Sequence, residues 1–417
     1  MIATLLALAS FLSAATAAAE VVDDLPPSVV VLEGRDLPSL LGSRPNDLRA
    51  FALHDGLRLP VLLQVDERWR GDDELHYAYE AGPEPVADLD PTFDSDDLLL
   101  FSPDDAGERL PAPEREAVEV QVRDGDHLGW LYVHNDATAP QPGSSLSYDR
   151  SRDGVRGDHY FLARASGQSA GFDELRLGDP ARAPNILDRT KARIDLQLAL
   201  GLATLHRTQD DTIARTTALH IGPLRIVREV EVRGRVLLDL YTNPYRERFV
   251  YYRDGFSVPT VVWIGPRYVA LLRSITLRLS MDLNENARGM TFMSAPELPQ
   301  PLRIDGHAGR HGGALPLQWY LLRGEQFGLL GWLTADPDVL RNVTLFFDDD
   351  SARVNPPENV PGQLGHHGFL YRSPGQLPNG PVRLTTHAWV VTGNDLNDPA
   401  AARRRFDHRP TAVVTVR

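Results

Sequence analysis

The sequence has 417 residues, a formal charge of −14 and no cysteine. That length exceeds the roughly 250–300 residues at which single cores stop growing, so two domains are expected. The acidic balance excludes nucleic acid and anionic lipid as electrostatic partners, and the missing cysteines exclude disulfides, Cys–zinc sites and thiol nucleophiles.

The chain opens "MIATLLALASFLSAATAAAE". An apolar run from Ile2 to Leu12 leads into Ala17-Ala18-Ala19, the small-residue pattern of an export signal cleaved before Glu20. No Lys or Arg precedes the run. It is too short to anchor in a bilayer, and no later stretch is long and apolar enough for a membrane helix. Residues 1–19 are therefore read as a signal peptide, and the protein as periplasmic or secreted.

Period-2 alternation follows almost everywhere. "SVVVLEGRDL", "LRLPVLLQVDERW", "LLLF", "AVEVQVR" and "LGWLYVH" predict the strands of a small β-sandwich over residues 20–135. In "AVEVQVR" the alternation places Val118, Val120 and Val122 on one face. Short helical turns are expected only in "SLLGSRPNDLRAFAL" and in "NDPAAARRRF", where Asn397 or Asp398 would cap the start. Residues 136–158, rich in Pro, Gly, Ser and charge, read as a linker. Residues 159–417 carry longer alternating strands, such as "ARIDLQLAL", "LRIVREVEV" and "YVALLRSITLRLSMDL", punctuated by Gly and Pro. The fold class is all-β: a small N-terminal sandwich followed by a larger antiparallel one.

The acidic loop "ADLDPTFDSDD" places Asp88, Asp90, Asp94, Asp96 and Asp97 within ten positions. Closely spaced carboxylates on a turn could supply the oxygens calcium needs. The spacing is not that of an EF-hand: Thr92 and Phe93 stand where a ligand and the tight-turn glycine belong, and Leu99 replaces the bidentate Glu. Three readings stay open: a solvated hairpin loop, a structural Ca²⁺ site and a catalytic carboxylate pair. Upstream, Asp66 and Glu67 in "VDERW" could pair with Asp97 or Arg109. A carboxylate pair of glycosidase type is one use of such acids, and a structural ion pair with arginine is the other.

Asp97, Leu98, Leu99 and Phe101, followed by Asp105, Gly107 and Arg109, resemble a D-E-L-x-F … D-x-G-x-R run of uncharacterised secreted bacterial β-rich proteins. Leu98 stands where that pattern has Glu. The resemblance covers the first domain and implies a fold, not an activity.

In the second domain, histidines sit beside glycines: His307 and His311 in "IDGHAGRHGG", His366 and His367 in "GQLGHHGF". Glycine beside histidine predicts exposed loops with unusual backbone angles, and His can serve as general base or metal ligand. Trp319, Tyr320 and Tyr371 lie near them in sequence, with Asp348, Asp349, Asp350 and Glu358. Rings beside acids could stack sugars, although core packing is the commoner use. Lys191, the only lysine, is expected at the surface. No serine elbow, P-loop or dinucleotide fingerprint occurs.

In outline, a small sandwich before a large β-domain is similar to the mutarotase-like sandwiches of polysaccharide lyases and glycan-processing proteins. Two functions are carried forward. One is an exported binding or structural protein recognising carbohydrate or another exported protein, with calcium as a candidate stabilising ion. The other is a glycan-active lyase or hydrolase using His307, His311, His366 and His367.

Overall fold

The computed structural model describes residues 28–71, 74–78, 90–112, 116–165, 170–198, 204–237, 240–241, 244–264, 272–294, 301–307, 319–373 and 380–415. The signal-peptide segment, Asp88 and His311 lie outside these residues. The chain is all-β, built from antiparallel sheets and divided into two units. Among the described residues, no helix is long and apolar enough to cross a membrane.

The first unit takes in Leu25–Ser147, Ala218–Arg228 and Ala401–Arg417. Its five-stranded sheet runs, in spatial order, Thr411–Thr415, Ala117–Asp124, His127–Asn135, Leu48–His54 and Leu57–Val61. A three-stranded sheet orders Val30–Glu33, Leu98–Phe101 and Gln64–Asp66. One apolar core joins the inward faces of both sheets: Val118, Val120, Val122, Leu131 and Val133 from the first, Val30, Leu32, Leu99 and Phe101 from the second. The alternation of "AVEVQVR" is therefore that of a strand with one face in a sandwich core. Leu98 and Leu100, on the other face of their strand, are buried as well.

Two boundaries differ from the sequence reading. The strand Thr411–Thr415 pairs with Ala117–Asp124, so the chain's end completes the first unit rather than the second. Ser147–Asp149 and Gly154–Arg156, inside the expected linker, form a four-stranded sheet with Tyr160–Arg164 and Phe172–Leu177. Strands of three residues are too short to show a period-2 pattern, and strand pairing across hundreds of residues leaves no local mark.

The second unit takes in Tyr148–Thr217 and Glu229–Ala400 among its described parts. Its five-stranded sheet orders Thr204–Thr208, Leu187–Leu198, Leu272–Leu283, Gln363–Ser373 and Val343–Asp350. A larger sheet contains, among others, Tyr245–Tyr252, Gly255–Ile264, Gly380–Thr392, Phe327–Ala335, Trp319–Arg323 and Thr291–Ser294. Rings from the two sheets meet: Phe292 stacks on Phe347 with centroids 4.5 Å apart, and Tyr320 tilts against Phe369 at 6.0 Å. These contacts make the second unit a sandwich too. The helical turns appear as Pro38–Leu40, Pro45–Asp47 and Pro399–Arg405.

Candidate functional site

The acids of the first unit serve the backbone. Asp97 is fully buried; its Oδ1 accepts from Arg68 N at 2.7 Å and its Oδ2 from Asp94 N at 2.9 Å. Asp94 Oδ1 accepts from Asp96 N, and Asp90 Oδ1 from Thr92 Oγ1. The bonds from Asp94 N and Asp96 N are the local side-chain-to-backbone bonds that make Asp a turn residue. The loop also closes on the segment 34–43: Gly42 N donates to Phe93 O, and a Cβ on Gly34 would lie 1.7 Å from Asp94 O. Among the described residues no group of three acidic or histidine side chains converges as a metal site.

Asp66 does not meet Asp97 or Arg109. It is buried against Arg225, whose Nε donates to Oδ2 at 2.6 Å, while His220 Nε2 and Gln64 Nε2 lie 2.8 and 2.6 Å from Oδ1. Burial alone would raise this carboxyl; the Arg225 and His220 charges overcome it and hold Asp66 well below the usual carboxylate range. Gln64 Oε1 accepts from the backbone of Leu224 and Arg225. Arg109 pairs instead with Glu119 at 2.9 Å. The arrangement is a structural ion pair.

The histidines part company. His307 is exposed and pairs with Asp305 at 2.7 Å. His366 and His367 are not on a loop: they are consecutive residues of the strand Gln363–Ser373, both buried. His366 Nε2 lies 2.7 Å from Ser280 Oγ, and its ring meets Phe346 edge-on. His367 Nδ1 donates to Gly365 O at 2.7 Å, which fixes the tautomer. Its ring sits among Phe292 and Tyr320. Burial pushes both imidazoles down, His367 to about 4, with the cations Lys191 and Arg278 adding to the effect at His366. Both are neutral near pH 7. The unusual backbone angle expected beside them is real, since Gly365 has φ +53°, but it bends a buried strand rather than an exposed loop.

Asp349 ties the two histidine segments together. Its Oδ2 accepts from Asp305 N and Gly306 N, and its Oδ1 from Gly365 N, all within 2.9 Å. The segments converge, yet their described histidines face water, Ser280 and an aromatic core respectively. Trp319 and Tyr320 are core side chains, and Tyr371 is half-buried.

A cleft of about 430 Å³ in the second unit offers different chemistry. It is lined by Asp173, Arg189, Asp210, Asp211, Arg235 and Asn359, with Tyr241, Thr212 and Ile213 completing the wall. Arg189 pairs with Asp210, and Arg235 with Asp211, each at 2.7 Å. The acids are set by a 3-10 turn, Gln209–Asp211, whose capping box joins Thr208 and Asp211. Burial would raise the Asp211 carboxyl, but Arg235 and the Thr208 N–H hold it below the usual value. Asp188, next to Arg189 in the chain, accepts from Asn359 N and Val360 N and so pins the segment 359–360 beside the strand Leu187–Leu198. The sequence held one signal for this site, the Thr-x-x-Asp capping spacing in "TQDD", but nothing local tied it to Arg189, Arg235 or Asn359.

Just inside the same strand, Lys191 is buried, not exposed as the sequence reading expected. Its side chain and that of Asp282 are 0% exposed, and that of Glu358 is 4% exposed. Lys191 Nζ donates to Asp282 Oδ2, to Glu358 Oε1 at 3.1 Å and to Asn355 O at 3.4 Å. Burial raises the Asp282 carboxyl to about 7, against the pull of Lys191. Glu358, although burial opposes it, is held below its ordinary value by Asn355 N–H and Lys191.

No family model and no curated protein matches the sequence. Among solved structures, an alpha-mannosidase from Enterococcus faecalis V583 is similar at a TM-score of 0.47 and 9% identity, over 94% of this chain and 45% of that one. A protein in the glycosyl hydrolase family 38 from Enterococcus faecalis is similar at the same TM-score and identity, over 94% and 46%. The chain thus spans less than half the length of either.

Proposed function

We propose that this chain is an exported binding protein that holds a neutral, hydroxyl-rich glycan in the Asp173–Arg189–Asp210–Asp211–Arg235 cleft. The observation that carries the reading is the paired charge of the wall. Each arginine is matched to an aspartate and Asp173 adds one further acid, so the cleft offers fixed donors and acceptors side by side with a small negative excess. Such a wall suits hydroxyl groups, which donate and accept at once, and disfavours a polyanion. The volume falls within the roughly 300–1,000 Å³ of small-molecule sites. Tyr241 supplies a ring against which a sugar face could lie. Binding is preferred to cleavage at the histidines because His366 and His367 are enclosed within the sandwich and do not line this cleft.

Titration of the purified protein with a panel of neutral oligosaccharides, followed by calorimetry, tests the site. At least one glycan should bind, and Asp173→Ala or Arg235→Ala should weaken it tenfold or more, the loss of about 1.4 kcal/mol or greater. No binding across the panel, or binding indifferent to both substitutions, would overturn the proposal. Export is read separately: the mature chain isolated from the producing cells should begin at Glu20.

A further inference from the structure

The Lys191–Asp282–Glu358 cluster has a chemistry that neither the cleft nor the sandwich core requires. Lys191 and Asp282 sit on neighbouring antiparallel strands, with Lys191 opposite Ser280 and Asp282 two positions further on. Among 43 cationic residues it is the only lysine, and its side chain is fully enclosed. Arginine serves every other Lys/Arg position; a primary amine, once neutral, differs from a guanidinium in being readily acylated. Asp282 Oδ1, also buried, has no hydrogen-bond partner among the described residues. A charged pair enclosed in this way, with one carboxylate oxygen unsatisfied, retains a desolvation cost that loss of both charges would remove.

We propose that Lys191 and Asp282 condense to an intramolecular isopeptide bond, with Glu358 carrying the proton. Nζ already rests on the carboxyl whose Cγ it would attack. A proton passes from the ammonium to the Asp282 carboxylate, leaving a neutral amine and a neutral carboxylic acid. The amine lone pair forms the Nζ–Cγ bond. Glu358 Oε1 takes the proton that nitrogen sheds and returns it to the departing hydroxyl. The Cγ–O bond breaks, one water leaves, and Glu358 ends as it began. No oxidant, metal or cofactor enters the balance. Asp282 Oδ1 remains as the amide oxygen. The environments suit the roles: Asp282 is pushed toward the neutral acid, and Glu358 is kept ionised as a base.

The test is peptide mapping of the full chain after denaturation and trypsin digestion. With the bond formed, Thr190–Arg193 stays intact and is joined to Leu279–Arg288, the pair together lighter by one water. An amine-reactive reagent applied to the denatured chain then labels the α-amino group alone. Recovery of an unmodified Leu279–Arg288 peptide with a reactive Lys191 would overturn the proposal. Glu358→Gln, checked for folding by circular dichroism, should leave the two peptides separate; crosslinking at the wild-type level in this variant would remove Glu358 from the step. Asp282→Asn should give the same branched peptide with loss of ammonia instead of water. Asp282→Ala should give none.

Discussion

At the scale of single residues, the molecule uses its buried charges in opposing ways. Asp66 and Arg225 are both fully buried and neutralise one another. Removing one partner leaves the other as an uncompensated charge, which costs about 3–5 kcal/mol, whereas removing both can be neutral. Asp66→Asn should therefore destabilise the first unit by about 3–5 kcal/mol in urea unfolding, and adding Arg225→Met should recover most of that loss. If the double variant is as unstable as the single one, the pair is not the source of the cost. The pH dependence has a definite sign. Asp66 is held below its unfolded value of about 3.9, so its stabilisation is present above that pH and fades as pH falls below it. None of this was legible in "VDERW". The sequence showed that an acid stood there, but its partners lie about 150 positions away, beyond any local pattern.

At the scale of elements, the strand Gln363–Ser373 shows what alternation can hide. Both faces of this strand are buried, so "LGHHGF" reads as a polar loop while it occupies the middle of a sandwich. A Cβ on Gly368 would lie 2.2 Å from Leu279 O of the neighbouring strand, so the glycine is there for close approach and not for a turn. The strand also stores a pH response. His367 titrates near 4 when folded and near 6.5 when unfolded, so the unfolded chain takes up the proton first as pH falls. Stability contributed by the neutral ring is complete above about 6.5 and is lost progressively toward about 4, by about 3 kcal/mol for a shift of that size. His367→Asn keeps a donor for Gly365 O and removes the titration. Urea midpoints measured from pH 7 to pH 4 should fall less steeply in this variant than in the parent. An equal slope would place the acid sensitivity elsewhere, for instance at His366.

At the scale of the whole molecule, chain order and unit order do not coincide. The first unit draws on three stretches of chain, the last of which supplies the edge strand Thr411–Thr415 with Ala412 and Val414 against the core. A fragment spanning Ser28–Ser147 lacks that strand and the Leu224–Arg225 backbone that Gln64 holds. It should show no cooperative melting transition, because an unpaired sheet edge and an unmatched Asp66 are left behind. A sharp melt of this fragment, comparable to that of the full chain, would show that the unit is complete without them.

The sequence by itself determined the fold class, the inward and outward faces of the strands whose one face is wet, and the turn role open to the acidic loop. Each of these follows from interactions within a few residues: the period of burial, the backbone freedom of Gly and Pro, and the reach of an Asp side chain. Only the tertiary structure decided which charges meet. It moved Lys191 from the surface to the interior, enclosed His366 and His367, and assembled the cleft from Asp173, Arg189, Asp210, Asp211, Arg235 and Asn359. Sheet pairing brings residues together across arbitrary chain distance, and the sequence carries no local record of that distance.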